Sequence, residues 1–176
     1  MTSIRCAAFE PPVSVRPLRS IADVRKMTYE ESRLAPPVSL NVTVISHFKD
    51  GFDGQDNTGG LFFEVTAKAL PRIGDELAIE GNVTGGFYGP YVIVDQFTKT
   101  GAKPPPKPLN FRPDFVQTGL GDNRWVEIEG LIVDVNFEAG KRDGSGLLVT
   151  GQSDLVIRFR NANEDFDVVR LEKMVG

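Results

Sequence analysis

Histidine and cysteine are almost missing from this 176-residue chain: His47 and Cys6 are the only ones. A single thiol makes no internal disulfide, and one thiol with one imidazole cannot build a multi-histidine or multi-cysteine zinc site. A histidine-centred triad would have to be built on His47 alone. No apolar run approaches the roughly 20 residues that cross a bilayer as a helix, and the first residues lack the apolar stretch of a secretory signal. The chain as written is therefore expected to be soluble. Strongly basic segments are lacking too. The net charge is −4, with four Lys/Arg against eight Asp/Glu in residues 37–100 and seven against ten in residues 124–176. Such a background repels a phosphate backbone, so nucleic acid is disfavoured as a partner.

What is present is 40% hydrophobic residues, enough for a core, punctuated by 18 glycines and 12 prolines. Residues 1–19, with Pro11, Pro12 and Pro17 and no periodicity, read as a disordered or extended leader. Ser20 with Asp23, and Thr28 with Glu31, are capping signals for two short helical turns over 20–36, ending at Pro36 and Pro37. Ile21, Val24 and Met27 share one face, which suits a small helix lying across the end of a sheet.

From Val38 the period changes to two: Val38, Leu40 and Val42 alternate with Ser39, Asn41 and Thr43, as a half-buried strand requires. Further strands are expected around 51–55, 61–65, 77–83 and 91–97, joined by glycine turns at 56–60 and 85–90. Five strands in about 60 residues fit a small closed barrel over residues 37–100. Residues 101–123, opening on Pro104–Pro106 and Pro108, read as a proline-rich spacer with a short helix over 113–118.

A second unit begins at 124. Trp125 to Val135 can be laid on the strand at Val38, with Val126 over Val38 and Ile128 over Leu40, which marks an internal repeat. A loop at 141–146, a hairpin of 147–150 with 155–159, and a helix over 163–174 complete it. Counterparts of the fourth and fifth strands are not evident, so this unit is expected to be an incomplete copy. The fold class is thus mainly β: two tandem OB-like five-stranded barrels with short helices, the second incomplete.

Several residue groups bear on chemistry. His47 suits surface or barrel-end packing. Asp50, Asp53 and Asp56 could be read as a calcium loop, but no bidentate acid follows at the twelfth position, and an acidic turn beside a glycine hairpin is ordinarily solvated. Residues 81–86 are glycine-rich without the Lys-Ser/Thr of a phosphate loop, which leaves a strand and a turn. The aromatic residues Phe62, Phe63, Phe87, Tyr88 and Tyr91 are the candidate ligand-binding set. Barrels of this kind stack bases or sugars on exposed rings of the second and third strands, although core or turn packing is the more ordinary explanation of such rings. Alternation puts Phe62 and Phe63 on opposite faces. No catalytic residues, metal or cofactor are expected.

The stretches Gln55 to Phe63, Ile73 to Gly81 and Trp125 to Gly130, with Ser20-Ile21-Ala22-Asp23-Val24-Arg25 before them, resemble the tandem OB-like segments in the N-terminal extracytoplasmic region of bacterial membrane-bound sensor histidine kinases. The resemblance implies a periplasmic, non-catalytic input region at the front of a longer kinase, responding to an unidentified small ligand or protein partner. Apart from it, the residues leave open a stand-alone OB-type protein that binds oligosaccharide or single-stranded nucleic acid.

Overall fold

The alternation that begins at Val38 folds as the strand it predicts, β1 (Pro37–Phe48). The computed structural model describes residues 16–66, 70–110, 118–137, 144–151 and 154–159. They fall into two units, Met1–Pro105 and Pro106–Gly176, parted inside the proline-rich stretch.

In the first unit β1 is followed by β2 (Gly51–Gln55), β3 (Gly60–Glu64), β4 (Asp75–Gly85) and β5 (Pro90–Ala102). They close into a barrel in the order β1-β2-β3-β5-β4. β1 can serve two neighbours because it is long: residues 37–43 pair with β4 and 43–48 with β2, both antiparallel. β3 and β5 close the ring in parallel, Phe63 opposite Val92. A five-stranded Greek-key barrel of this kind is OB-like. β5 runs on past Phe97 to Ala102, because the long strand β4 keeps a partner for it down to Asp75.

Val38, Leu40, Val42, Val44, Phe52, Leu61, Phe63, Leu77, Ile79, Val83 and Val92 point inward and form the core. Among the described residues two helices precede the barrel. α1 (Ile21–Arg25) starts at Ser20, whose side chain accepts from the Asp23 amide at 3.2 Å, and α2 (Tyr29–Ser32) starts at Thr28 in a reciprocal capping box with Glu31. A five-residue helix has little stability of its own. α1 is held by packing Ile21 and Val24, both fully buried, onto the barrel core. Leu18, within the stretch read as leader, already bridges Val38 in parallel, with backbone bonds to Pro37 and Ser39.

β1 contains one irregularity. Its pairing with β2 runs Val44 to Gly54 and then Ser46 to Asp53, so Ile45 is an extra, bulged residue. A bulge of this sort reverses which side chains face inward beyond it. Val44 faces the core, whereas His47 stands opposite the buried Phe52, and Ser46 and Phe48 turn outward.

The second unit has a short parallel pair, β6 (Leu109–Asn110) with β7 (Val126–Glu127), and an antiparallel meander of β8 (Leu131–Phe137), β9 (Gly144–Val149) and β10 (Asp154–Phe159). Leu148 is the buried hydrophobic residue among its described residues. Gly144 to Gly146, read from sequence as loop, form the start of β9. The internal repeat is carried by geometry: β8 skips Val133 against β9, pairing Ile132 and then Asp134. The alignment that puts Val126 over Val38 also puts Ile132, Val133 and Asp134 over Val44, Ile45 and Ser46, so both copies bulge at the same position. The helix expected over 163–174, and residues 113–117 of the one expected over 113–118, lie outside the described residues.

Candidate binding face on the first barrel

Beyond the bulge, Ser46 and Phe48 of β1 join Asp53 of β2, Phe62 and Glu64 of β3, and Tyr91 of β5 on the outer face of the barrel. The register places them: Ser46 is opposite Asp53, Asp53 opposite Phe62, and Phe63 opposite Val92 so that Tyr91 comes level with Phe62. Three rings meet there. Phe62 lies 6.0 Å from Phe48 at 58° and 6.1 Å from Tyr91 at 51°, giving a ridge of mutually tilted, half-buried rings.

Glycines seat this ridge. A Cβ on Gly51 would come within 2.7 Å of the Phe62 Cζ, and one on Gly86 within 3.0 Å of the Tyr91 ring. Both rings can lie against backbone only because nothing projects there. Carboxylates border the rings. Burial first, then the charge of the neighbouring Glu64 carboxylate and its hydrogen-bonding pull on the hydroxyl, hold the Tyr91 phenol above its ordinary value of 10.0. Ser46 Oγ donates to Asp53 at 2.7 Å.

Of the five aromatic residues singled out in the sequence, Phe62 and Tyr91 belong to the ridge. Phe63 does not: it is fully buried and stacks on Phe52 at 5.3 Å, so it is core. Phe87 and Tyr88 form the tip of the β4–β5 hairpin, 95% and 97% exposed, edge to face at 5.0 Å. Phe48 was missed, because uninterrupted alternation from Val44 would send it inward. Glu64 carried no signal apart from its neighbours.

The other candidates resolve differently. His47 is exposed at the end of β1. Asp56 is engaged by donors, accepting from the amides of Ile21 at 2.9 Å, Thr58 at 2.6 Å and Gly59 at 2.8 Å. Among the described residues no group of three His, Cys, Asp or Glu is placed to hold a metal ion. Residues 81–85 are part of β4, as the strand reading expects. A separate groove of about 530 Å³ opens between α1, α2 and the start of β1, lined by Leu18, Met27, Leu34 and Pro36 with Asp23, Lys26 and Glu31.

Among its described residues the second unit does not reproduce the ridge. Through equivalent pairings, Asn136 stands where Phe48 does, Ser145 where Gly51 does, Leu147 where Asp53 does, Val156 where Phe62 does and Arg158 where Glu64 does. Val156 is 71% exposed with no ring beside it among these positions. Among the described residues the aromatic, acidic face is found on the first copy.

No family model and no curated protein matches the chain. Among solved structures it is similar to the hypothetical protein ygiW from E. coli, at 14% identity with a TM-score of 0.38, over 48% of this chain and 91% of that one. It is also similar to the second OB-fold domain of replication protein A from Methanococcus maripaludis, at 20% identity with a TM-score of 0.33, over 44% of this chain and 98% of that one. No helix among the described residues is long and apolar enough to cross a membrane.

Proposed function

We propose that the chain is a non-catalytic interaction module that takes its partner on the outer face of the first barrel, across Phe48, Phe62 and Tyr91. The observation that carries this reading is the ridge itself: tilted rings seated on glycines and bordered by Glu64 and Asp53. OB-type barrels engage ligands on the face of their second and third strands and on the loops after the first and fourth, and the ridge lies there. Its acidic border favours a neutral or basic partner over a phosphate backbone.

A second reading, an oligosaccharide ligand, rests on the acceptor oxygens of Asp53 and Glu64 beside stackable rings. The resemblance to sensor-kinase input regions would make this face the input site of such a kinase. A membrane span and kinase motifs in the downstream coding sequence are the check on that setting, and their absence removes it.

The test is an amide chemical-shift titration of the full chain with short peptides, neutral oligosaccharides and a single-stranded oligonucleotide at low salt. Partners should perturb Phe62, Glu64 and Tyr91 and lose about tenfold or more in affinity in Phe62→Ser, and the oligonucleotide should leave these amides unmoved. Binding that survives loss of Phe62 and Tyr91 overturns the reading.

A further inference from the structure

We infer that the ridge holds an arginine side chain of an extended polypeptide partner, its guanidinium against the rings of Phe62 and Tyr91 and its donors toward Glu64 and Asp53. This rests on the proposal that the ridge is a binding face and names what that face takes.

The strands that build the face supply carboxylates and rings but no cation. Residues 37–48, 51–64 and 83–94 cover β1, β2, β3 and the hairpin of β4 with β5, and none of them is Lys or Arg. Lys49, in the turn after β1, is followed at once by Asp50. Asp53 stands opposite Phe62 on β2, and Glu64 lies two residues on along β3, on the same outer face. A negative field beside apolar ring surface draws a cation more strongly than the same charges in open water. The Glu64 charge is felt at the Tyr91 ring, where it helps to raise the phenol.

The rings add to this attraction. A cation is held over an aromatic face within about 6 Å of its centroid. Phe62 lies 6.0 Å from Phe48 and 6.1 Å from Tyr91, so one cation can come within that reach of two rings at once. Arginine fits better than lysine. Its planar, weakly hydrated guanidinium stacks on a ring while its edge still donates to a carboxylate, whereas an ammonium is a strongly hydrated point charge. Glu64 is roughly 7 Å along β3 from Phe62, which puts a carboxylate at the edge of a guanidinium stacked there.

The extent of the face selects a polypeptide. Beyond Tyr91, whose ring approaches Gly86, the β4–β5 hairpin presents Phe87 and Tyr88, 95% and 97% exposed. Apolar residues on either side of an arginine in an extended chain cover these rings and Phe48, and a small guanidino compound leaves them in water. The barrel is closed, so the partner lies across the face and is recognised by its side chains rather than added as a strand.

The probes are acetyl-Ala-Leu-Arg-Leu-Ala-amide and its citrulline and lysine counterparts, titrated into the full chain and read at the Phe62, Glu64 and Tyr91 amides. The arginine peptide should shift these amides saturably and weaken with salt. Citrulline keeps the planar head without the charge and should lose about tenfold or more in affinity, with lysine between the two. Glu64→Gln, which keeps the rings, should bring the arginine and citrulline peptides to within about threefold of each other. N-acetyl-arginine amide should bind the wild-type chain about tenfold or more weakly than the arginine peptide. An arginine peptide no better than its citrulline counterpart, a preference that survives Glu64→Gln, or a free arginine amide as tight as the peptide overturns the inference. If the citrulline peptide or a neutral oligosaccharide still moves these amides, the binding face stands and the arginine assignment alone falls. No shift with any probe removes both.

Discussion

The ring of Phe62 lies over the Cα of Gly51 on the neighbouring strand, close enough that a Cβ there would sit 2.7 Å from the Phe62 Cζ and run into the Phe63 carbonyl oxygen. Gly51 thus serves the ridge and the β2–β3 ladder together. Gly51→Ala must displace either the ring or the strand, and overpacking of this kind costs about 1–3 kcal/mol. The denaturant midpoint should fall while the slope holds, and the Phe48–Phe62 ring contact should weaken in proton NMR. An unchanged midpoint would show that the close approach carries no weight.

Asp56 fastens α1 to the β2–β3 loop. Its carboxylate accepts from Ile21 across the barrel end and from Thr58 and Gly59 in its own turn. Bonds to a charged acceptor are worth more than neutral ones, so Asp56→Ala should cost about 1.5–3 kcal/mol. Asp56→Asn, which keeps one acceptor oxygen, should recover part of it. Hydrogen exchange at the Ile21 and Gly59 amides should accelerate in the alanine variant, and exchange confined to the loop without change at Ile21 would contradict the fastening.

Much of the barrel was legible because its strands are half-buried, so alternation of Val38, Leu40 and Val42 or of Leu77 and Ile79 reports directly on burial. The capping residues Ser20 and Thr28 act within one turn and were legible for the same local reason. Phe48 was not, since the bulge at Ile45 is a property of the ladder with β2, and a single inserted residue reverses every later assignment on that strand. Asp56 looked like part of an acidic turn because its distant partner, the Ile21 amide, is brought to it only by the closed fold. The repeat could be seen in sequence at Val126 and Ile128, but its loss of the aromatic face needed strand pairing to equate Val156 with Phe62.

Asp75 couples the barrel to pH. Its buried carboxylate accepts from Lys99 and from the Arg72 amide, and the Lys99 bond first, then the Arg72 bond, hold it below its ordinary value of 3.8. A group whose folded value is lowered contributes stability above the unfolded value and loses it as pH falls through the folded one. The wild-type midpoint should therefore drop on acidification below about pH 5. Asp75→Asn should start lower at neutral pH and drop less over the same range. Parallel curves for the two proteins would assign the acid sensitivity elsewhere.

Tyr91 and Glu64 give the ridge a titration of its own. The phenol is raised above 10.0, by burial first and then by the Glu64 charge and hydrogen bond. In Glu64→Gln the charge goes and the burial stays, so the Tyr91 transition should move down but remain above the ordinary value. Ultraviolet absorbance against pH, with Tyr91→Phe subtracted to isolate it from Tyr29 and Tyr88, reads this directly. The sign for stability follows from the raised value: the contribution is complete below pH 10.0 and is lost as pH rises through the folded transition. A partner seated on the ridge excludes more water from the phenol, and a basic one draws on the Glu64 carboxylate. Burial then pushes the transition up, whereas a cation beside Glu64 pulls it down. An uncharged ligand should therefore raise the Tyr91 transition further, while an arginine-bearing segment should raise it less or lower it. A transition unmoved by any bound partner would place the contact away from Tyr91.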